Sequence, residues 1–200
     1  MIDEGYIKFR CHWKKQDLPA VGLADDLLEA RDLLFQKKLV GYDAWHRVGY
    51  GNISKRISGL HFLISGTQTG HIEKLDISGY SYIDSFDIDK NEVYCTGPAQ
   101  ASSESMTHAA IYQLDKNIGA VVHVHHKKLW EALLQKAPAT RKEVSYGTPA
   151  MAHEVGRLAG KENLLTTRIF AMAGHDDGVI SFGTTVEDAM QVMMHHFNTL

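Results

Sequence analysis

The stretch that most constrains the chain is Ala120, Val121, Val122, His123, Val124, His125, a β-branched run carrying two histidines two positions apart. Strand side chains at that spacing point to the same face about 7 Å apart. Two imidazoles so placed can bind one metal ion. The alternative is one buried, hydrogen-bonded histidine and a second near a strand end. A metal calls for more ligands, because catalytic zinc usually takes three protein ligands and leaves one position open.

Two other segments offer such groups. Downstream, the apolar run Ile169, Phe170, Ala171, Met172, Ala173 ends at Gly174, His175, Asp176, Asp177, Gly178. His175 stands at the end of a strand, where ligands are often mounted. It reads equally as a loop histidine between glycines, and Asp177 competes with it. Upstream, Ser102, Ser103 and Glu104 open a helix, with Ser103 as its cap, and their hydroxyls and free backbone N–H groups suit a phosphate or carboxylate. The plain alternative is an N-cap followed by an acidic first-turn residue. Glu104 gains meaning by association. Its helix leads through Gly119 back to the His123 strand, which can set the carboxylate beside a Lewis acid for proton transfer. His126, His153, His195 and His196 are assigned no role. Lys127 and Lys128 sit in a charged helix start, whereas a Schiff-base lysine must be desolvated.

Around these segments, Leu23 to Lys38 carries the apolar spacing of an amphipathic helix that closes at Gly41. Strands are expected over Gly49 to Ser58 and Leu60 to Ser65, with a polar loop Gly66 to Gly70, and over Tyr80 to Ile83 and Glu92 to Thr96. After the Ser103 helix and the His123 strand come helices from Lys127 to Gln135 and from Pro149 to Leu158, the latter capped by Thr148. Strands Arg168 to Ala173 and Val179 to Phe182 and a last helix from Val186 complete the order. The mixture implies a sheet covered by helices, over residues 1–200 as one domain. Net charge −3, from 24 acidic and 21 basic residues, leaves no cation excess for a nucleic acid. No apolar run is long enough to span a membrane, and Met1, Ile2, Asp3, Glu4 does not open a signal peptide. A cytoplasmic protein is expected. Cys11 and Cys95 form no metal knuckle and at most one disulfide.

Together these residues resemble the class II aldolase/adducin family. The resemblance rests on Gly51, Asn52, Ile53, Ser54 with Arg56; Leu63, Ile64, Ser65, Gly66, Thr67; Ser102, Ser103, Glu104 with His108 and Tyr112; Val121 to His125; and Gly178, Val179, Ile180 with Gly183 and Ala189. It implies a three-layer α/β/α domain with a mixed, mainly antiparallel sheet, assembled as a homotetramer with active sites near subunit interfaces. It further implies that Asn52, Ser65, Gly66, Thr67, Ser102 and Ser103 hold a substrate phosphate, that His123 and His125 are two of three ligands of one divalent ion, Zn2+, and that Glu104 is the acid/base. Glutamate there resembles the aldolases, since the epimerases carry aspartate.

The chain departs from the pattern at the third ligand. The family usually places a histidine directly before the glycine matched to Gly178, where this chain has Asp177, with His175 two residues earlier. His175 is the expected ligand, because a third neutral imidazole leaves the ion its full charge and an aspartate would neutralise part of it. The loop Ser65 to Gly70 is one residue longer than in fuculose-phosphate aldolase, Ala137 to Gly147 is shorter, and a second proton donor has no counterpart. The activity expected is metal-dependent aldol cleavage of a small hydroxy-carbonyl compound, a sugar phosphate, through a metal-stabilised enediolate. The alternatives are a dehydratase, epimerase or decarboxylase of the same family, or a non-catalytic adducin-like interaction module. A cupin-like site is disfavoured, because Glu131 lies in a helical pattern with Leu129, Trp130, Leu133 and Leu134.

Overall fold

The computed structural model describes residues 6–18 and 25–200, so the expected helix start at Leu23 and the opening Met1 to Glu4 lie outside the described residues. Strand β1 (Arg10–Lys15) is followed by helix α1 (Asp25–Gln36), a small hairpin of β2 (Gly41–Asp43) and β3 (Val48–Tyr50), and strands β4 (Asn52–Ser58), β5 (His61–Ser65), β6 (Tyr80–Asp87) and β7 (Glu92–Gly97). Helix α2 (Ser105–Leu114) leads to β8 (Ala120–His125), and α3 (Lys127–Leu133), α4 (Pro149–Lys161) and the short α5 (Leu164–Thr167) follow. Then come β9 (Ile169–Ala171), β10 (Gly178–Gly183) and α6 (Val186–Asn198). Eight strands form one sheet in the order β1-β7-β6-β5-β4-β8-β10-β9, antiparallel except for the β1–β7 pair.

Alternation along the strands sorts the side chains into two cores. On β5, Phe62 and Ile64 face the layer that contains Met106 and Ile111 of α2 and Val155 of α4, while Leu63 faces Leu27 and Leu34 of α1 and Met193 of α6. On β8, Val121 belongs to the first core and Ala120, Val122 and Val124 to the second. The sheet is therefore the middle of three layers, α/β/α. His123 and His125 share the parity of Val121 and emerge on the α2/α4 side. No helix among the described residues is long and apolar enough to cross a membrane.

Local chemistry departs from expectation at several points. Strand β1 is mostly exposed, with no alternating burial, and joins the sheet by parallel pairing to β7. Its Cys11 is a free thiol whose sulfur lies 3.6 Å from that of Cys95. The stretch expected as one strand from Gly49 breaks at Gly51, whose φ is +74° and where a Cβ would meet Val40 Cγ1 at 2.6 Å. Ser103 does not cap α2. The Ser105 N–H and hydroxyl both turn back to the Ser102 carbonyl (3.0 and 2.8 Å), so the helix starts one residue later than expected, with Glu104 in the cap position and its N–H on Ser102 Oγ at 3.2 Å. Thr148 does cap α4, its hydroxyl oxygen accepting from Met151 N.

Helix α4 is tied to the segment that precedes it through a buried carboxylate. Glu154 accepts from the Arg141 backbone N–H at 2.9 Å, from Arg141 Nε and Nη2 at 3.0 and 2.8 Å, and from Arg157 Nε at 2.9 Å. Burial alone would push this carboxyl up, but the hydrogen bonds from Arg157 and Arg141 outweigh it and hold it down to about 2, from an ordinary 4.5. A depressed carboxylate contributes stability that is complete above its unfolded value and lost as pH falls through its folded value. We therefore expect Glu154→Gln to lose on the order of 2 kcal/mol at pH 7, a figure discounted for the exposed side of Arg141. In urea denaturation the gap to wild type should hold from pH 7 to 5 and close between about 4.5 and 2. A gap independent of pH would show that charge at Glu154 is not what holds the segment.

Candidate metal centre

On one side of β8 lies β4, with Asn52 opposite His123, and on the other β10, with Gly178 opposite His125. His175 arrives on the turn between β9 and β10, its N–H donating to Met172 O and its carbonyl accepting from Gly178 N, both at 3.0 Å. That turn folds back so tightly that a Cβ at Gly178 would stand 2.7 Å from His175 Cδ2. The three rings converge, with centroids 4.9 Å apart for His123 and His125, 5.4 Å for His123 and His175, and 4.7 Å for His125 and His175.

One ligand nitrogen from each lies within 4.8 Å of the others. His125 Nε2 and His175 Nε2 face each other at 3.1 Å. Nitrogens bound at about 2.0–2.1 Å around a tetrahedral zinc ion stand about 3.3 Å apart, so this spacing suits a shared ion. His123 Nε2 is buried without a hydrogen-bond partner. Burial, with the neighbouring imidazoles, holds His123 well below its usual range, and burial brings His125 down to about 4. Burial, then His125 and the Lys8 ammonium, hold His175 well below its usual range. All three are neutral at pH 7, the form that ligates a metal. Asp177 is not among the grouped ligands. Its backbone is left-handed, at φ +65°, and its carbonyl accepts from His126 N at 2.9 Å.

The Asn52 side-chain amide lies 3.3 Å from His123 Nδ1. A metal-ligating histidine commonly donates its other ring N–H to an outer acceptor. The atom at that distance is the amide nitrogen Nδ2, and Oδ1 is buried without a hydrogen-bond partner; turning the amide over would let Oδ1 accept from Nδ1–H, leave the Nε2 lone pair for an ion and free the NH2 as a donor.

Glu104 is brought to the same place by a buried network beneath α2. Ser54 Oγ on β4 bonds to His108 Nδ1 at 2.7 Å and to the Tyr112 hydroxyl at 2.8 Å. Arg56 lies over the Tyr112 ring, 4.7 Å from its centroid, and donates to the Tyr112 and Asp115 carbonyls at 2.7 and 2.9 Å, holding the far end of the helix. Glu104 is 2% exposed, neither carboxylate oxygen has a hydrogen-bond partner, and Oε1 is 3.7 Å from His175 Nε2. Burial pushes its carboxyl up to about 7.

Beside the histidines a small cradle is lined by Asn52, Gly66, Thr67, Ser102 and Ser103. Ser65, expected with them, does not line it, and its hydroxyl oxygen accepts from Ile53 N at 3.2 Å. The backbone N–H groups of Gly66 and Thr67 are committed to the Gly79 and Gln100 carbonyls at 2.8 and 2.9 Å. The donors these residues can still turn to an anion are the Thr67, Ser102 and Ser103 hydroxyls and the Asn52 amide. A larger cavity, of about 770 Å3, is lined by Tyr50, His125, Lys127, Tyr146, His175 and Asp176, among others.

Sequence reasoning missed three contributors. Arg31 of α1, 3% exposed, pins the cradle loop by donating to the Glu73 and Thr69 carbonyls at 2.7 and 3.2 Å. Its signal was a charge on the apolar face of the helix, next to Leu27, Ala30 and Leu34. Tyr50 packs on His125, centroids 5.6 Å apart, and Tyr146 on His175 at 4.5 Å. Neither carries a local pattern that predicts it. His153, His195 and His196 lie away from the cluster.

The family described as Class II Aldolase and Adducin N-terminal domain matches residues 32–199. No curated protein sequence matches the chain. Among solved structures, L-fuculose-1-phosphate aldolase from Thermus thermophilus aligns at a TM-score of 0.61 with 18% identity, over 86% of this chain and 87% of that one. A sugar-phosphate aldolase from Thermotoga maritima aligns at 0.62 with 17% identity, over 86% and 89%. YgbL of Escherichia coli, a candidate aldolase, epimerase or decarboxylase, aligns at 0.63 with 19% identity, over 86% and 84%. At these identities the likeness is one of fold.

The geometry predicts which substitutions cost the ion. Replacing His123, His125 or His175 by alanine should abolish stoichiometric metal in the purified protein, and Asp177→Ala should retain it, as elemental analysis would show. Metal retained without His175 but lost without Asp177 would hand the third position to the carboxylate.

Proposed function

We propose, from the premise that this chain belongs to the class II aldolase and adducin family, that it is a metal-dependent aldolase cleaving a small hydroxy-carbonyl compound, a ketose phosphate. The observation that carries the reading is the position of Glu104, a buried carboxylate without hydrogen-bond partners, 3.7 Å from His175 Nε2 beside three converging neutral imidazoles. A structural ion needs no such neighbour. His123, His125 and His175 would hold one divalent ion, zinc in this proposal, which when bound supplies Lewis acidity toward vicinal substrate oxygens.

The chain's own residues divide the remaining work. The Thr67, Ser102 and Ser103 hydroxyls and the Asn52 amide hold the phosphate end in the cradle, which sets the reacting carbons between it and the larger cavity. Glu104, with a carboxyl near neutrality, is available in both protonation states. As the carbon–carbon bond breaks, Glu104 as the carboxylate takes the proton of the substrate hydroxyl, which becomes the aldehyde carbonyl, and as the acid returns that proton to the carbon that is freed, leaving Glu104 as it began. Burial of α2's first turn keeps bulk water from competing as the proton source. Dehydration, epimerisation and decarboxylation draw on the same ion and carboxylate, and glutamate rather than aspartate at position 104 favours the aldolase. The proposal includes a cytoplasmic homotetramer.

In assays against a panel of ketose phosphates, Glu104→Gln should keep its metal and lose roughly 100-fold or more in turnover. Unchanged turnover would reduce Glu104 to a helix-start residue. Inorganic phosphate at millimolar levels should compete with substrate, and Ser103→Ala should weaken that competition. Absence of any phosphate effect would favour a non-phosphorylated substrate.

A further inference from the structure

His123 and His125 are oriented by the strand that carries them, but His175 sits on a turn between glycines, and the turn alone does not fix its ring. Besides the other two imidazoles, Glu104 and the Gly178 backbone, Tyr146 lies against that ring, centroids 4.5 Å apart with planes inclined by 40°. Tyr146 is in turn held from the opposite end of the chain. The Tyr6 backbone N–H donates to its hydroxyl oxygen at 3.0 Å, and the hydroxyl reaches the Tyr6 carbonyl at 3.4 Å. The Lys8 ammonium stands 3.7 Å from the centroid of the Tyr146 ring and donates to Ser145 Oγ at 2.5 Å. On the other flank, Gly147 has φ +64° and presses on the substrate cradle, since a Cβ there would stand 2.4 Å from the Ser103 carbonyl. The tyrosine thus has the cradle on one side, the N-terminal segment on another, and His175 before it.

We infer that residues 6–8 are a strap that completes the metal centre, with Lys8 and Tyr146 as positioning residues that set the ring of His175. The inference rests on the reading of the three histidines as ligands. It goes beyond the family, whose match begins at residue 32 and so leaves the strap out. A cation over an aromatic face contributes more where it is shielded from water, and Lys8 is only partly exposed. Loss of the cation frees Tyr146 to move off His175, and a misplaced third ligand weakens the site without unfolding the sheet. Outer partners of metal ligands typically matter by 10- to 100-fold in affinity.

Cobalt(II) is the probe, because its visible absorption reports the number and arrangement of its ligands. Lys8→Met keeps most of the aliphatic stem and removes only the charge, and it carries the test should Tyr146→Leu not fold. Both variants should bind cobalt at least about tenfold more weakly than wild type and with an altered visible spectrum, and in Lys8→Met the melting temperature of the metal-free protein stays unchanged. Lys8→Arg, which can stack on the same ring, should restore affinity and spectrum. Wild-type affinity and spectrum in both Lys8→Met and Tyr146→Leu would overturn the strap and leave the metal centre standing. Failure of the wild-type protein itself to bind cobalt would overturn the centre and the strap together.

Discussion

The architecture turns on how much polar chemistry one face of the sheet takes out of water. Both carboxylate oxygens of Glu104, Asn52 Oδ1, Thr107 Oγ1, His108 Nε2 and His123 Nε2 are buried without hydrogen-bond partners. They come from three elements, β4, α2 and β8. A buried polar group left unpaired costs about 1–3 kcal/mol, and more if charged, so a fold built only for stability would replace such a cluster with apolar side chains. Burial also keeps the imidazoles neutral and raises Glu104 toward neutrality. Groups of that kind suit a cation and a substrate proton, and the binding energy of a divalent ion offsets part of what their burial costs.

Strand parity and helix anchoring make the cluster possible. A one-residue slip of β8 would turn both histidines into the opposite core and bring Val122 and Val124 in their place. The antiparallel registers with β4 and β10 prevent it, and the same registers set Asn52 and Gly178 beside the two histidines. Ser54, His108, Tyr112 and Arg56 give α2 its place over β4, which explains why these residues accompany the ligands in the motif blocks. They act on Glu104 by holding its helix.

Much of this was legible before any coordinates. The His123, Val124, His125 spacing, the glutamate at a helix start and His175 at a strand end each follow local rules of period and termination, and the layered α/β order followed from the succession of elements. What was not legible depends on distant contacts or on competition for the same hydrogen bond. Strand β1 lacks alternation because most of its side chains face solvent, and it exists through pairing with β7. Ser65 reads as part of the phosphate cradle, whereas in the fold it stands outside the cradle lining with its oxygen accepting from the Ile53 N–H, and Ser103 reads as a cap until Ser102 closes the turn. Lys8 and Tyr6 meet Ser145 and Tyr146 across some 140 residues of chain, a distance at which no spacing rule operates.

The family's chemistry is shared among several reactions, so the metal centre is the part of the account on which the others depend. Zinc-edge X-ray absorption on the zinc-loaded protein addresses it directly. Three imidazole nitrogens are expected at about 2.0–2.1 Å, with the outer-shell scattering of three rings, and one further light atom completing four-coordination. A spectrum with two imidazoles or fewer, a sulfur ligand at about 2.3 Å, or a six-coordinate oxygen shell would contradict it.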